Sequence, residues 1–221
     1  MLSRRHFVTT SAAGAVAAMI GAPNIGSATW QPPVTPDDAL ARLMDGNRRF
    51  VAQQLTSFHD DLDILKQNTV DKQEPFAAVL SCADSRVPVE LVFDQTIGHI
   101  FVARVAGNIA SSEIIASLEY GVAVLGTQVI MVMGHGGCGA VKAAIAGKAV
   151  PGQISALYRY IRPAIDKAGS DLNAAIRANA LIQAKLLRES SPVIAEAIQK
   201  GTLRVVASHY DLASGTVTAL D

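Results

Sequence analysis

The only two cysteines of this 221-residue chain lie in short motifs that could together bind one metal ion. Cys82 begins the sequence Cys-Ala-Asp-Ser-Arg, and Cys138 ends the sequence His-Gly-Gly-Cys that starts at His135. Two thiolates and one imidazole are ligands that suit Zn²⁺. Because three protein ligands leave the fourth tetrahedral position open, as in catalytic zinc sites, the motifs predict a zinc enzyme.

Two charged residues that follow Cys82 could act beside such a metal. Asp84 lies two residues after Cys82, and Arg86 lies two residues further on. An ionised carboxylate only accepts hydrogen bonds, so Asp84 would accept a hydrogen bond from a zinc-bound hydroxide and turn the oxygen lone pair toward an electrophile. Arg86 could bind that carboxylate through two hydrogen bonds and keep it ionised. The alternative is a surface salt bridge with little energetic effect.

The elements that must position these residues are short apolar runs that alternate with helical patterns. The predicted strands are residues 76–81, 100–105, 129–133 and 203–207. The predicted helices are a helical arm from Thr35 to about residue 54, a short helix near residues 61–67, and residues 111–125, 138–146, 154–168, 171–189 and 192–200. This alternation predicts an α/β fold with a mainly parallel β-sheet flanked by helices.

The predicted strand ends bring the two motifs together. Cys82 follows the first strand directly, and His135 ends the third. Ligands of parallel sheets bind beyond the carboxyl ends of the strands, so we expect both motifs at that edge.

The composition suits a single domain with a sizeable core. Half of the residues are hydrophobic, and the length argues against two domains. The 19 basic residues balance 19 acidic ones, and no long basic run occurs, which argues against nucleic acid as a partner.

The first 28 residues are typical of a twin-arginine signal peptide. Arg4 and Arg5 precede a weakly apolar run at residues 12–22, and a small-residue stretch ends at Ala28, where cleavage is predicted. Residues 29–221 would then form the mature protein, a single domain in the periplasm. The precursor would contact the twin-arginine translocation machinery during export, and the mature protein would not insert stably into the membrane. A retained anchor is the alternative, although a membrane span needs about 20 predominantly apolar residues.

Taken together, the motifs resemble those of the β-class carbonic anhydrases. The segments Cys-Ala-Asp-Ser-Arg and His-Gly-Gly-Cys-Gly are similar to that family's C-x-D-S-R and H-x-x-C-G signatures, and the similarity runs from about residue 40 to the C-terminus. The resemblance implies one Zn²⁺ per chain on Cys82, His135 and Cys138, with the pair Asp84–Arg86 beside it. It also implies reversible hydration of CO₂ to bicarbonate and a proton by attack of zinc-bound hydroxide.

The same resemblance assigns residues that bind substrate. Gln73 matches a pocket glutamine that donates a hydrogen bond to a substrate oxygen, and Gly139 matches a position that leaves room at the zinc-bound oxygen. Phe101 and Tyr120 match apolar pocket walls that the family supplies from a neighbouring subunit, which implies a homodimer or tetramer. Read without the resemblance, Gln73 could be an exposed loop residue, and Phe101 and Tyr120 could belong to the core.

One departure from the family concerns Val79. A subset of members carries a tryptophan three residues before the first cysteine, in a bicarbonate pocket that moves the aspartate onto the metal. Val79 cannot complete that pocket, so we expect an open site at neutral pH, with Asp84 a fourth ligand only in a closed state. Arg104 and Asn108 are interpreted as structural. The histidines interpreted as non-metal are His6, His59, His99 and His209.

Two other functions remain open from the sequence. The first is a CS₂ or COS hydrolase, which resembles this site but restricts access through tunnels or oligomer form. The second is a non-catalytic zinc-binding scaffold. Loss of Asp84 or Arg86 would favour the scaffold, and both residues are present.

Overall fold

In the computed structural model of this chain, residues 35–57 and 62–221 are described. The predicted signal peptide, His6 and His59 lie outside these residues. Among the helices in the described part, none is long and apolar enough to cross a membrane.

Five strands of the described chain form one sheet. They are β1 (Ala77–Ser81), β2 (Ile100–Arg104), β3 (Val129–His135), β4 (Arg204–Tyr210) and β5 (Val217–Ala219). Their order across the sheet is β2-β1-β3-β4-β5. Strands β1 to β4 pair in parallel, and β5 pairs antiparallel with β4. The register aligns Ser81 with Arg104 and Met133, so these three strands end at one edge of the sheet.

Helices cover both faces of this sheet. They are α1 (Pro36–Val51), α2 (Leu62–Thr69), α3 (Val89–Val92), α4 (Ser112–Ala123), α5 (Gly139–Ala146), α6 (Tyr158–Ala168), α7 (Leu172–Ser190) and α8 (Pro192–Gln199), with a 3₁₀ turn at Ile154–Leu157 before α6. Local sequence explains where several begin. The Thr35 hydroxyl accepts a hydrogen bond from the amide of Asp38 at 3.2 Å, and the Asp171 carboxylate caps α7 through the amide of Ala174 at 3.0 Å.

Alternation of side chains along the strands produces two apolar layers. Val79 and Met131 face one side, where they pack with Leu43 and Phe93. Leu80 and Ile130 face the other side, where α4, α7 and α8 supply most of the contacts. Because both faces are covered, β1 is buried along its whole length, which explains its continuous apolar sequence.

The predicted α/β architecture is confirmed, with two additions. Helix α3 is a single short turn, and β5 has three residues, so neither carries enough periodicity to be predicted. Strands β3 and β4 also run to His135 and Tyr210, beyond their predicted ends. The predicted N-terminal helical arm is α1.

Candidate active site

The two cysteine motifs converge at the carboxyl edge of the sheet. Cys82 is the first residue after β1, His135 is the last residue of β3, and Cys138 directly precedes α5. All three side chains are buried, and their ligand atoms lie within 4.8 Å of one another. The structure therefore brings together the three residues predicted to hold the metal.

The distances in this group fit a tetrahedral metal ion. The Sγ atoms of Cys82 and Cys138 are 4.0 Å apart, and neither cysteine forms a disulfide. Two thiolates on one zinc ion, with Zn–S bonds of about 2.3 Å, lie about 3.8 Å apart at the tetrahedral angle. The sulfur separation thus matches shared coordination.

The orientation of His135 leaves one ring nitrogen available to a metal. Its Nδ1 lies 3.0 Å from the carbonyl oxygen of Gly136, and a carbonyl only accepts, so Nδ1 carries the proton. Its Nε2 is buried and has no hydrogen-bond partner. An imidazole that is fixed at one nitrogen and unpartnered at the other is typical of a metal ligand.

The glycines between His135 and Cys138 allow the chain to turn back toward the site. Gly137 has φ +66°, a left-handed conformation that glycine adopts without steric penalty. The amide of Gly136 donates to the carbonyl of Tyr210 at 3.0 Å, which ties this turn to the end of β4. The two glycines thus let the chain turn tightly between His135 and Cys138.

The surroundings of Cys82 favour its thiolate form. A hydrogen bond from the Cys138 thiol lowers the pKa of Cys82, although burial acts in the opposite direction. The amide of Gly107 also donates to the Cys82 Sγ at 3.3 Å. The contact with Cys82 and burial together raise the pKa of Cys138. One negative charge is thus stabilised before any cation is considered, and thiolate is the form that binds metals.

Asp84 and Arg86 form the predicted pair next to this group. Arg86 donates from Nε to Oδ1 of Asp84 at 2.9 Å and from Nη2 to Oδ2 at 2.8 Å, and its backbone amide donates to Oδ1 at 3.0 Å. These hydrogen bonds hold the pKa of Asp84 well below its usual range. The Oδ2 atom lies 3.8 Å from Nε2 of His135, so an ionised carboxylate stands beside the ligand atoms.

Arg104 holds the loop between Cys82 and Asp84. Its Nε donates to the carbonyl of Cys82 at 3.0 Å, and its Nη2 donates to the carbonyl of Asp84 at 2.6 Å. Asn108 is buried with φ +43°. The Arg104 side chain thus contacts the backbone of this loop, whereas the buried Nδ2 of Asn108 has no hydrogen-bond partner.

Three of the four residues predicted to bind substrate, Gln73, Phe101 and Tyr120, lie away from the metal group. Gln73 and Tyr120 line one cleft, and the rings of Phe101 and Tyr120 are 6.4 Å apart. Phe101 pairs with Ala78 near the start of β2, three residues before the strand ends. At about 3.3 Å per residue, that is roughly 10 Å from the edge where the metal ligands meet. Within one chain these residues do not join the metal group.

The remaining predictions concern single positions. A Cβ atom at Gly139 would meet nothing within 4 Å, so space is open there. Val79 is fully buried in β1. The group of potential ligands in the described residues includes neither His99 nor His209, both of which have their pKa lowered by burial.

The sequence did not predict the hydrogen bond from the Gly107 amide to the sulfur of Cys82. It also did not predict the roles of Asn179 and Gln183, whose side chains bind the loop that contains Gly107. Two amide side chains among alanines in α7 were the available signal, because buried amides usually have specific hydrogen-bond partners.

Comparison with known proteins agrees with this fold and site. A profile of the family described as carbonic anhydrase matches residues 77–217. A carbonic anhydrase of Mycolicibacterium smegmatis is 36% identical over 197 residues, which cover 84% of this chain and 94% of that protein. Carbonic anhydrase 2 of Mycobacterium tuberculosis is 32% identical over 198 residues, which cover 86% and 95% of the two chains.

A solved structure is similar as well. The Coccomyxa β-carbonic anhydrase in complex with acetazolamide superposes with a TM-score of 0.65 at 27% identity, and the match covers 82% of this chain and 86% of that chain. The chain belongs to the β-class carbonic anhydrase family, and it is an enzyme of that family.

Proposed function

We propose that this enzyme catalyses the reversible hydration of CO₂ to bicarbonate and a proton, with one zinc ion held by Cys82, His135 and Cys138. The observation that carries the proposal is the buried, unpartnered Nε2 of His135 beside two sulfur atoms 4.0 Å apart. A zinc ion on three protein ligands lowers the pKa of a bound water to about 7, which supplies a nucleophile near neutral pH.

Asp84 orients the attacking water in this proposal. Its carboxylate is ionised, so it only accepts hydrogen bonds, and a water proton held at Asp84 leaves an oxygen lone pair free to face CO₂. Arg86 keeps the carboxylate in place through two side-chain hydrogen bonds. The carboxylate therefore remains an acceptor throughout the reaction.

The substrate pocket would be completed by a second copy of the chain. The cleft that contains Gln73 and Tyr120 is also lined by Val70 and Ile97, and Tyr120, Val70 and Ile97 expose 48%, 75% and 48% of their surfaces. Exposed apolar groups in one patch are typical of a surface that another chain covers. In a homodimer or tetramer, Phe101 and Tyr120 would wall the partner's pocket.

Gln73 and Gly139 would then contribute to substrate binding. The side-chain amide of Gln73 could donate a hydrogen bond to an oxygen of CO₂ or bicarbonate. The open space at Gly139 would leave room for the reacting oxygen.

The open form of the site is part of this proposal. Asp84 is paired with Arg86 and does not belong to the group of converging ligand atoms. Val79 offers no side chain that could form the known bicarbonate pocket. Asp84 would thus stay off the metal at neutral pH.

We also propose that the enzyme works in the periplasm. This proposal is supported by the twin arginines and the small-residue stretch of the first 28 residues. A metal that holds both thiolates would protect them from oxidation in that compartment.

The proposed reaction can be tested by stopped-flow CO₂ hydration with the zinc-loaded protein, together with measurement of the zinc content. We expect one zinc per chain, and rapid turnover that a chelator abolishes and added zinc restores. A CS₂ assay on the same sample separates the alternatives. Hydrolysis of CS₂ without CO₂ hydration, or bound zinc without either activity, would contradict the proposal.

A further inference from the structure

The loop after β2 supplies a hydrogen bond to a metal-ligating sulfur. The amide of Gly107 donates to Sγ of Cys82 at 3.3 Å. Gly107 has φ +79°, a left-handed conformation that favours glycine, and a Cβ atom there would lie 2.9 Å from Cδ1 of Ile161. The direction of this N–H group depends on how the loop is held.

Two buried amides of α7 hold that loop. The Nδ2 of Asn179 donates to the carbonyl of Gly107 at 2.8 Å. Three residues further along the loop, the amide of Ala110 donates to Oε1 of Gln183 at 2.9 Å. Asn179 is 0% exposed and Gln183 is 1% exposed, so water cannot replace these partners without a rearrangement.

The two amides also fix one another. They lie one helical turn apart on the same side of α7, and Nε2 of Gln183 donates to Oδ1 of Asn179 at 3.2 Å. The same Nε2 donates to the carbonyl of Tyr160 in α6 at 3.0 Å. Every polar atom of both amide groups is therefore used, which fixes their orientation and rigidly connects α6, α7 and the loop.

We propose that Asn179 and Gln183 are positioning residues for the metal site, which they reach through Gly107 and the sulfur of Cys82. This inference rests on the proposed zinc function. The N–H and the carbonyl of Gly107 belong to successive peptide groups that meet at its Cα atom. When Asn179 anchors the carbonyl, it restricts rotation about that Cα and so keeps the N–H directed at the sulfur. Loss of the anchor restores this rotation, weakens the hydrogen bond that stabilises the thiolate, and loosens the hold on zinc.

The test compares Asn179→Ala with Asn47→Ala as a matched control. Asn47 is also buried, at 3%, and its amide makes three hydrogen bonds to the backbone of Val92, Gly215 and Val217, none of which belongs to the metal loops. Both variants should lower the melting temperature. Only the Asn179 variant should release zinc faster, by about tenfold, which is the lower end of the effect of losing a direct partner of a metal ligand, because Asn179 acts through Gly107.

The measurements are the rate of zinc transfer to a chromophoric chelator and the absorption of the Co²⁺-substituted protein. The thiolate-to-cobalt band should shift in Asn179→Ala and stay unchanged in Asn47→Ala. Gln183→Met keeps the Asn179 hydrogen bond to Gly107, so it should give a smaller change in the same direction. It replaces Asn179→Ala in the test if that variant does not fold.

Wild-type zinc release and an unchanged cobalt spectrum in folded Asn179→Ala or Gln183→Met would overturn the inference, as would an equal effect of Asn47→Ala. A wild-type protein that binds zinc without hydrating CO₂ would contradict the proposed reaction alone, because the zinc and cobalt measurements do not depend on turnover. A wild-type protein that binds no zinc would contradict both the proposed reaction and the inference about Asn179 and Gln183.

Discussion

Arg86 binds the carboxylate of Asp84 in a bidentate pair, with hydrogen bonds of 2.9 Å from Nε to Oδ1 and 2.8 Å from Nη2 to Oδ2. Arg86 itself is largely exposed, whereas the Asp84 side chain is 17% exposed. The exposed cation thus fixes a carboxylate that lies 3.8 Å from the imidazole of His135. This relationship makes Asp84 an acceptor of fixed direction at the edge of the metal site.

Asp84→Asn should retain zinc and lose most of the CO₂ hydration rate, by about a hundredfold or more, because an amide can donate as well as accept and no longer orients the water. Arg86→Ala should act in the same direction by freeing the carboxylate. Stopped-flow turnover and zinc content provide the measurement. Asp166→Asn, which breaks the exposed pair with Arg162, is the control and should keep full activity. Wild-type turnover in both site variants would mean that the pair has no catalytic role.

Cys82→Ser or His135→Ala should lose both zinc and activity, because removal of one of three ligands leaves the ion poorly held. The zinc content after dialysis and the CO₂ hydration rate are the readouts. Asp166→Asn, at the exposed pair with Arg162, is a control for handling and should retain both. Stoichiometric zinc with near-native turnover in either ligand variant would contradict the ligand assignment.

Activity should follow a shallow, one-proton dependence on pH with a midpoint of about 7, the pKa of water on a catalytic zinc ion. The reason is Val79, which cannot complete the bicarbonate pocket that moves the aspartate onto the metal, so added bicarbonate should inhibit only as product. Rates measured at pH values from about 6 to about 9, in steps of about half a pH unit, test this dependence. A steep multi-proton loss below about pH 8, or a crystal structure there with Asp84 on zinc, would show that other residues perform the switch.

Asp94→Asn should destabilise the protein at neutral pH by about 2 kcal/mol and much less near pH 2. Burial alone would raise the pKa of Asp94, but hydrogen bonds from Ser57, Arg49 and Thr56 lower it from 3.8 to about 2. A folded pKa below the unfolded value stabilises the protein above about pH 4, and this contribution is lost as the pH falls through about 2. Urea unfolding at several pH values measures it.

The control for Asp94 is Asp37→Asn, which removes an exposed partner of Arg204 and should change the stability by less than about 0.5 kcal/mol at each pH. An Asp94→Asn variant as stable as the wild type at neutral pH would show that the hydrogen bonds at Asp94 do not stabilise α1 and its following loop.

Replacement of Arg4 and Arg5 by Lys should leave the precursor in the cytoplasm, folded and active, because the translocation machinery reads the arginine pair. Cell fractionation with a CO₂ hydration assay on each fraction measures the distribution. These residues lie outside the described part of the chain, so the export signal stays a prediction. Unchanged periplasmic activity in the double variant would contradict it.

The sequence by itself determined the fold class, the family and the group of three potential metal ligands. Cys82 and His135 could be placed because each lies within two residues of the end of a predicted strand, and parallel strands end at a common edge. Local patterns were sufficient there, since strand periodicity, glycine-rich turns and helix caps depend on neighbouring residues.

Only the tertiary structure decided which distant residues support that group. Gly107 reaches the sulfur of Cys82, and Asn179 reaches Gly107 from 72 positions away. The structure likewise separated Phe101 from the metal group within one chain, because β2 starts at the opposite edge of the sheet. Such relationships depend on strand order and on helix packing, and a hydrogen bond between distant segments leaves no periodic pattern in the sequence.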